Sequence, residues 1–445
     1  MDLLHRFKRY VEGTLQIKPT DTILLTVSGG KDSMLMAFLF KQLGYKGYVA
    51  HCNFQLRGEE SDKDEQLVES YAEQLGFPLM KKRFDTESYA RQEGISIQMA
   101  ARDLRYAWFE ELRQSNNISW IAVAQHRNDH LETVLLNLTR GTGLQGLQGI
   151  LPKRGTIIRP LLFLTADEIA QFVLSESIPY RDDQSNFSTR YARNKIRLEI
   201  IPKFKEITAD FETVLAENIV HFQESYQLLE SFIEPIRTRI FDVKADGTMA
   251  INKNTLMPYL SDMPLLYALF RPYGFSKAVL GDLAAQKAKG VGTVFDSATH
   301  RLWVDRDKLF LQKRDKWRET DGQRKDIAET DTDIHLGEMT ISCAVSTDLT
   351  IVRDKKVAKL DYDRLIFPLT LRYWEEADTF CPLGMQGKKK LSDFFIQQKV
   401  PVFKKKQIPI LVNGNGDVLW IVNYQLDNRY KITESTKKVF TLVCN

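Results

Sequence analysis

Residues 22–40 read TILLTVSGGKDSMLMAFLF, and this stretch decides the fold. Ile23 to Val27 is an apolar run of strand length. It stops at Ser28-Gly29-Gly30, and an apolar-rich helical pattern starts near Asp32-Ser33. A strand feeding through glycines into a helix N-terminus leaves backbone N–H groups aimed at one spot. Those unpaired donors and the positive end of the helix dipole favour an anion such as phosphate. Gly29 and Gly30 permit positive φ and let the backbone approach a ligand with no Cβ between them. The pattern is neither G-x-x-x-x-G-K-[ST] nor G-x-G-x-x-G. An ordinary glycine-containing βα turn is the competing reading.

Outward from this stretch, residues 1–200 alternate strand and helix signals. A second strand is expected around Tyr48 to His51, a helix over Ser61 to Leu75 and a third strand over Phe77 to Arg83. An amphipathic helix is expected over Met99 to Gln114, a fourth strand over Ser119 to His126, and a helix over Asp129 to Arg140 ended by Gly141-Thr142-Gly143. Such alternation implies right-handed crossovers and a mainly parallel sheet, with ligands at the carboxyl ends of the strands. Ser28, His51 and His126 fall at such ends. From about residue 205 the pattern turns helical, over Phe211 to Ile240 and Met263 to Ala288, and then a small hairpin region begins at Gly292. Arg318 to Asp333 is nearly free of apolar residues and reads as an exposed linker. Short strands dominate from about 337 onward. The expected architecture is therefore α/β: a parallel sheet with helices on both faces over residues 1–205, a mainly helical middle domain over 206–320, and a small α+β domain over 337–445.

At 445 residues the chain is too long for one core, and 43% hydrophobic with 27% charged residues is a soluble globular balance. The opening MDLLHRFKRYVEG has no apolar signal core, and no run approaches about 18 apolar residues, so a cytoplasmic chain without a membrane span is expected. Cys52, Cys343, Cys381 and Cys444 are scattered with no C-x-x-C, which argues against a disulfide framework or a zinc site. Residues 351–445 hold 17 Lys/Arg against 10 Asp/Glu, whereas the rest of the chain holds 45 against 48. A basic end beside a near-neutral nucleotide site points to a polyanion partner, RNA first, with a solvated lysine-rich surface as the alternative.

Ser28 to Ser33, SGGKDS, resembles the SGGxDS signature of the PP-loop ATP pyrophosphatases, which split ATP into AMP and pyrophosphate to activate a carbonyl oxygen as an adenylate. Five further blocks narrow the resemblance to the tRNA(Ile)-lysidine synthetases. These are HCNFQLRGEES (51–61), AARDLRY (100–106), AQHRNDHLETVLLNLTRGTGLQGLQGI (124–150), YRDDQSNFSTRYARNKIRLEIIP (180–202) and DTFCPLGMQGKKKLSDFFIQQKVP (378–401). There is one departure. Where that family usually has two aspartates and a glutamine after the histidine, this chain has Asn128, Asp129 and His130. A role that needs both acids, such as two carboxylates on one magnesium, is thereby put in question; a single-carboxylate role is not.

The resemblance implies a reaction. ATP adenylates O2 of the wobble cytidine of an isoleucine tRNA with a CAU anticodon, pyrophosphate leaves, and the ε-amine of free lysine attacks C2 as AMP departs. An amine of pKa about 10.4 is only about one part in a thousand neutral at pH 7, so the site must hold it near a base or depress its pKa. ATP and magnesium are the implied cofactors. Ser28, Gly29, Gly30, Lys31, Asp32 and Ser33 are expected around the phosphates, with Asp32 on magnesium, and His51 near the adenosine. For Asp32 the alternative is helix capping. Asp32, His126 and Asp129 are the candidate catalytic groups, and Glu132 is a candidate for the lysine ammonium or a helix-surface charge. Arg102, Arg105, Arg193 and Arg197 are candidates for phosphate or RNA backbone, and Lys388, Lys389 and Lys390 for tRNA. Phe394, Phe395 and Phe403, interleaved with these lysines, read as core before base-stacking. The resemblance leaves the oligomeric state open, a homodimer included. The rival readings are a PP-loop tRNA thiolase, a small-molecule ligase of the same superfamily, and an RNA-binding protein without activity.

Overall fold

The computed structural model describes residues 2–181, 192–285, 290–314, 323–337 and 339–445. Part of the 180–202 block, the end of the expected 263–288 helix and residues 318–322 of the expected 318–333 linker lie outside the described residues. The rest of that linker is not all loop, because Arg324–Ile327 pairs as a strand with residues 369–372 and buries Ile327. The chain divides into two compact units, Met1–Glu230 and Ser231–Asn445. The division falls within one long helix, Phe211–Ile240.

In the first unit, six strands form one sheet: β1 (Thr22–Thr26), β2 (Lys46–Asn53), β3 (Leu79–Arg83), β4 (Trp120–Val123), β5 (Lys153–Arg154) and β6 (Ile157–Ile158). Their order is β3-β2-β1-β4-β6-β5, parallel throughout except for the edge strand β5. The helices are α1 (Leu3–Arg9), α2 (Lys31–Gln42), α3 (Glu59–Leu75), α4 (Thr86–Glu93), α5 (Ile97–Ser115), α6 (Arg127–Thr139), α7 (Leu144–Leu147) and α8 (Ala166–Ser175). The apolar run of β1 follows from burial on both faces. Ile23 and Leu25 join a core with Phe7, Met34, Phe40, Leu164 and Ile169, whereas Leu24 faces Trp108, Phe109 and Ile121. Chain order reverses between β1 and β4, because β2 lies on one side of β1 and β4 on the other. This is the topological switch point, where a crevice opens at the carboxyl ends of strands.

The expected strand over Ser119 to His126 stops at Val123, because His126 is already the N-cap of α6. Three contiguous helical pieces, Ala192–Lys195, Ile196–Ile200 and Ile201–Ile207, follow the undescribed stretch. Ile196 and Ile201 pack with Leu131, Val134 and Ile219, which fixes the 192–207 run against α6.

The second unit departs from a mainly helical middle region. Beside Met263–Phe270 and Lys277–Ala284 it carries a five-stranded antiparallel sheet. Its strands are Phe241–Val243, Met249–Asn252, Val294–Asp296, His300–Val304 and Lys308–Lys313. The short alternating runs before residue 253 are what the helical pattern obscured. Two further sheets, of five and four strands, make up the rest of this unit. Phe394, Phe395 and Phe403 are buried, in keeping with the core reading. Phe403 packs against Trp303 and Phe310 in tilted contacts, at centroid distances of 5.3 and 5.1 Å, and so ties residues 402–405 to the 294–313 strands.

Candidate active site

The loop between β1 and α2 is built by its own side chains. Gly29 has φ +93°, a conformation that a Cβ would strain. Its carbonyl accepts the Arg181 N–H at 3.0 Å. The Ser33 hydroxyl donates to Gly30 O (2.9 Å) and accepts the Ser28 N–H (3.0 Å). Ser33 is therefore a staple across the loop, 5% exposed, more than a free phosphate donor. No side chain caps α2, whose N-cap is Gly30, so its first N–H groups remain available for an anion.

A cavity of about 290 Å³ opens beside this loop at the switch point. Ser28, Gly30, Asp32 and Ser33 line one side; Cys52, Phe54, Arg105, Tyr106 and Phe109 line another. The apolar and aromatic wall suits a nucleobase. Arg105 lies over the Phe54 ring at 4.9 Å and Arg102 over Tyr106 at 4.8 Å. Sequence reading misses Phe54, Tyr106 and Phe109 as site residues, although Phe54 and Tyr106 stand inside the HCNF and RxxRY blocks. His51 does not line the cavity. It is 3% exposed, and its Nδ1–H donates to Val27 O at 2.9 Å, which pins the end of β1 to β2. Burial holds its imidazole below the ordinary pKa, so the ring is neutral.

Asp32, His126 and Asp129 do come together. His126 Nε2 lies 3.9 Å from Asp32 Oδ2 and 3.6 Å from Asp129 Oδ2. Asp129 also accepts the His126 backbone N–H at 3.1 Å, an N-terminal box that holds both residues in place. Asp32 Oδ1 and His126 Nδ1 are buried with no hydrogen-bond partner among the described residues. Burial, with Asp129 close by, pushes the Asp32 carboxyl above its ordinary pKa despite His126 and Lys31.

Glu132 is fully buried, not a helix-surface charge. Arg197 grips it through Nε (2.5 Å) and Nη2 (3.1 Å), and Arg193 Nε approaches at 3.5 Å. Arg197 Nη2 also reaches Asp129 Oδ1 at 3.6 Å. The two arginines expected on phosphate are thus held by carboxylates of α6. Asp32, His126, Asp129, Arg197 and Glu132 form one chain of contacts, which fixes each group against its neighbours.

Family models match in chain order: a PP-loop domain over residues 3–204, a TilS substrate binding domain over 244–314, and a TilS substrate C-terminal domain over 369–442. A tRNA(Ile)-lysidine synthase of Parabacteroides distasonis is 39% identical over 440 residues, covering 98% of each chain. The chain belongs to the tRNA(Ile)-lysidine synthase family. Relatives of the same name from Bacteroides thetaiotaomicron (35% identical, 98% of each chain) and Porphyromonas gingivalis (36%, 93% of this chain and 91% of the relative) agree. This makes the chain an ATP-using PP-loop enzyme of the ligase class that acts on tRNA. Among the described residues, no helix is long and apolar enough to cross a membrane.

Asn128 acts as both acceptor and donor, which a carboxylate could not do. Its Oδ1 accepts the Ala166 N–H at the start of α8 (2.9 Å) and its Nδ2 donates to Glu212 (3.0 Å). His130 accepts the Ile150 N–H on Nδ1 at 2.9 Å. Both residues brace α6 from outside the Asp32–His126–Asp129 cluster. In the second unit, Lys388 lies 3.7 Å from Asp417, Lys389 bonds Gln397, and Lys390 is exposed.

Proposed function

We propose that this chain joins free L-lysine to C2 of the wobble cytidine of the CAU-anticodon isoleucine tRNA, with Asp32, His126 and Asp129 as the reacting cluster. The observation that carries this reading is the meeting of that cluster, through Asp32, with the uncapped helix and the aromatic cavity. Cytosine O2 attacks the α-phosphorus of ATP, and the bond to the β-phosphate oxygen breaks to release pyrophosphate. The lysine Nε then attacks C2 and the C2–O bond breaks, with AMP carrying off the oxygen. The amine must lose its protons on the way; His126 Nε2, flanked by two carboxylates, is suited to take one. Asp129 suits the incoming ammonium, whereas Glu132 is already saturated by Arg197 and serves to aim it.

Magnesium fits Asp32, whose buried Oδ1 otherwise lacks a partner among the described residues. Asp32 would hold it with one carboxylate beside the phosphate oxygens, and the ion would offset charge on the leaving pyrophosphate. Sulfur transfer is disfavoured, because burial pushes the Cys52 thiol up to about 12. The basic end of the chain, with Lys388, Lys389 and Lys390, is suited to the tRNA backbone.

The test is pyrophosphate release from ATP by the full-length chain. The reading requires release only when lysine and the CAU-anticodon isoleucine tRNA are both present, with lysine carried into the tRNA. Release that ignores either substrate would refute it.

A further inference from the structure

Arg159 is 8% exposed and follows directly on β6, which lies parallel to β4, so it stands on the carboxyl rim of the sheet with the phosphate loop. Its Nε donates to Gln125 Oε1 at 2.6 Å and its Nη1 to Leu151 O at 2.7 Å. Both acceptors are neutral. Besides burial, the groups acting on it most strongly are Tyr106, Arg154, Arg102 and Tyr10, and burial with the two arginines lowers its pKa. A buried cation held by neutral acceptors and crowded by further cations is a costly arrangement. Elsewhere in this unit Arg57, Arg113 and Arg197 sit on carboxylates. Arg102, Arg154 and Arg159 make no ion pair among the described residues. Arg102 and Arg154 are exposed, so an anion arriving from solvent can reach this corner and offset its charge.

We propose that Arg159, with Arg154 and Arg102 beside it, binds a backbone phosphate of the RNA strand next to the nucleotide under reaction; this rests on the function proposed above. The guanidinium fork, with no bond from Nη2 among the described residues, matches a phosphate edge. ATP phosphate is the other source of the same chemistry, and position argues against it. The phosphate loop follows β1, and β6 is two strands away in the order β1-β4-β6, roughly 10 Å at ordinary strand spacing. Tyr106, close to Arg159, also lines the base cavity. A nucleotide splayed into that cavity leaves its flanking phosphate outside, on this side.

The experiment uses the full-length chain with Arg159→Gln, and a CAU-anticodon tRNA transcript bound across a potassium chloride series. ATP binding without RNA is measured in parallel. Expected are a loss of RNA affinity of about ten-fold or more and a salt slope shallower by about one, with ATP affinity within about two-fold of wild type. Unchanged RNA affinity and slope, or a loss confined to ATP, would overturn the site. Should the buried substitution fail to fold, the exposed pair Arg102→Gln/Arg154→Gln gives the same readout, and an unchanged slope there overturns it equally. Wild-type turnover separates the two readings: absent lysine-dependent pyrophosphate release refutes the function, whereas the phosphate site stands or falls on RNA binding.

Discussion

Asp32 and His126 face each other, Oδ2 to Nε2, at 3.9 Å, and each keeps a second buried polar atom without a partner among the described residues. The separation exceeds a hydrogen bond, and both unpaired atoms are expensive to bury. Such an arrangement makes sense where substrate supplies the missing contacts.

Asp32→Asn should cut lysine-dependent pyrophosphate release by about two to three orders of magnitude, the usual loss of one charged group at a reacting centre. The same change should stabilise the free protein at neutral pH. Burial raises the Asp32 pKa, so the folded chain holds this proton more tightly than the unfolded one. The favourable linkage is present below the ordinary carboxylate range and is lost as pH rises through the raised value. Thermal melts should show the variant above wild type at pH 7, with the gap narrowing as pH falls. A variant less stable than wild type at pH 7 would contradict this.

His130 carries the opposite pH signature. Burial lowers its pKa to about 4 while its Nδ1 accepts the Ile150 N–H, so the folded state needs the neutral ring. Its contribution is complete above pH 6.5 and is lost as pH falls toward 4, a total of about 3 kcal/mol. His130→Gln keeps an acceptor for Ile150 and should flatten urea-measured stability over this window. Gly149→Ala should be destabilising at every pH, since the added Cβ would lie 2.8 Å from the His130 ring at a φ of +63°.

Replacing Glu132 by Ala leaves Arg197 and Arg193 without their buried counter-charge. A destabilisation of about 3–5 kcal/mol is expected in denaturant titration. Arg197 also reaches Asp129, so Glu132→Gln, which keeps the volume, should lower turnover with lysine more than it lowers ATP affinity. Equal loss of both would mean that Glu132 acts on folding alone.

Replacing Lys388, Lys389 and Lys390 together with Ala should weaken tRNA binding and make its salt dependence shallower, by about 0.7–0.9 for each phosphate no longer neutralised. ATP binding should be unaffected. An unchanged salt slope would assign these lysines to surface pairing with Asp417 and Gln397 alone.

The strand-loop-helix at Thr22 to Phe40, the parallel alternation around it and the gathering of Asp32, His126 and Asp129 are legible in the sequence, because glycines, apolar runs and helix starts act over a few residues. His51 reads as a ligand residue from its place near a strand end, yet it is turned to Val27 O. Whether Arg193 and Arg197 meet phosphate or Glu132 depends on approaches across 61 and 65 residues that no local pattern carries. Likewise Phe54 and Tyr106 become a cavity wall only when β2 and α5 pack together. Local sterics and periodicity determined the elements and where the backbone could bind an anion. Which charged side chains are left over for substrate was decided by tertiary packing, since a buried charge takes whichever partner the fold places within reach.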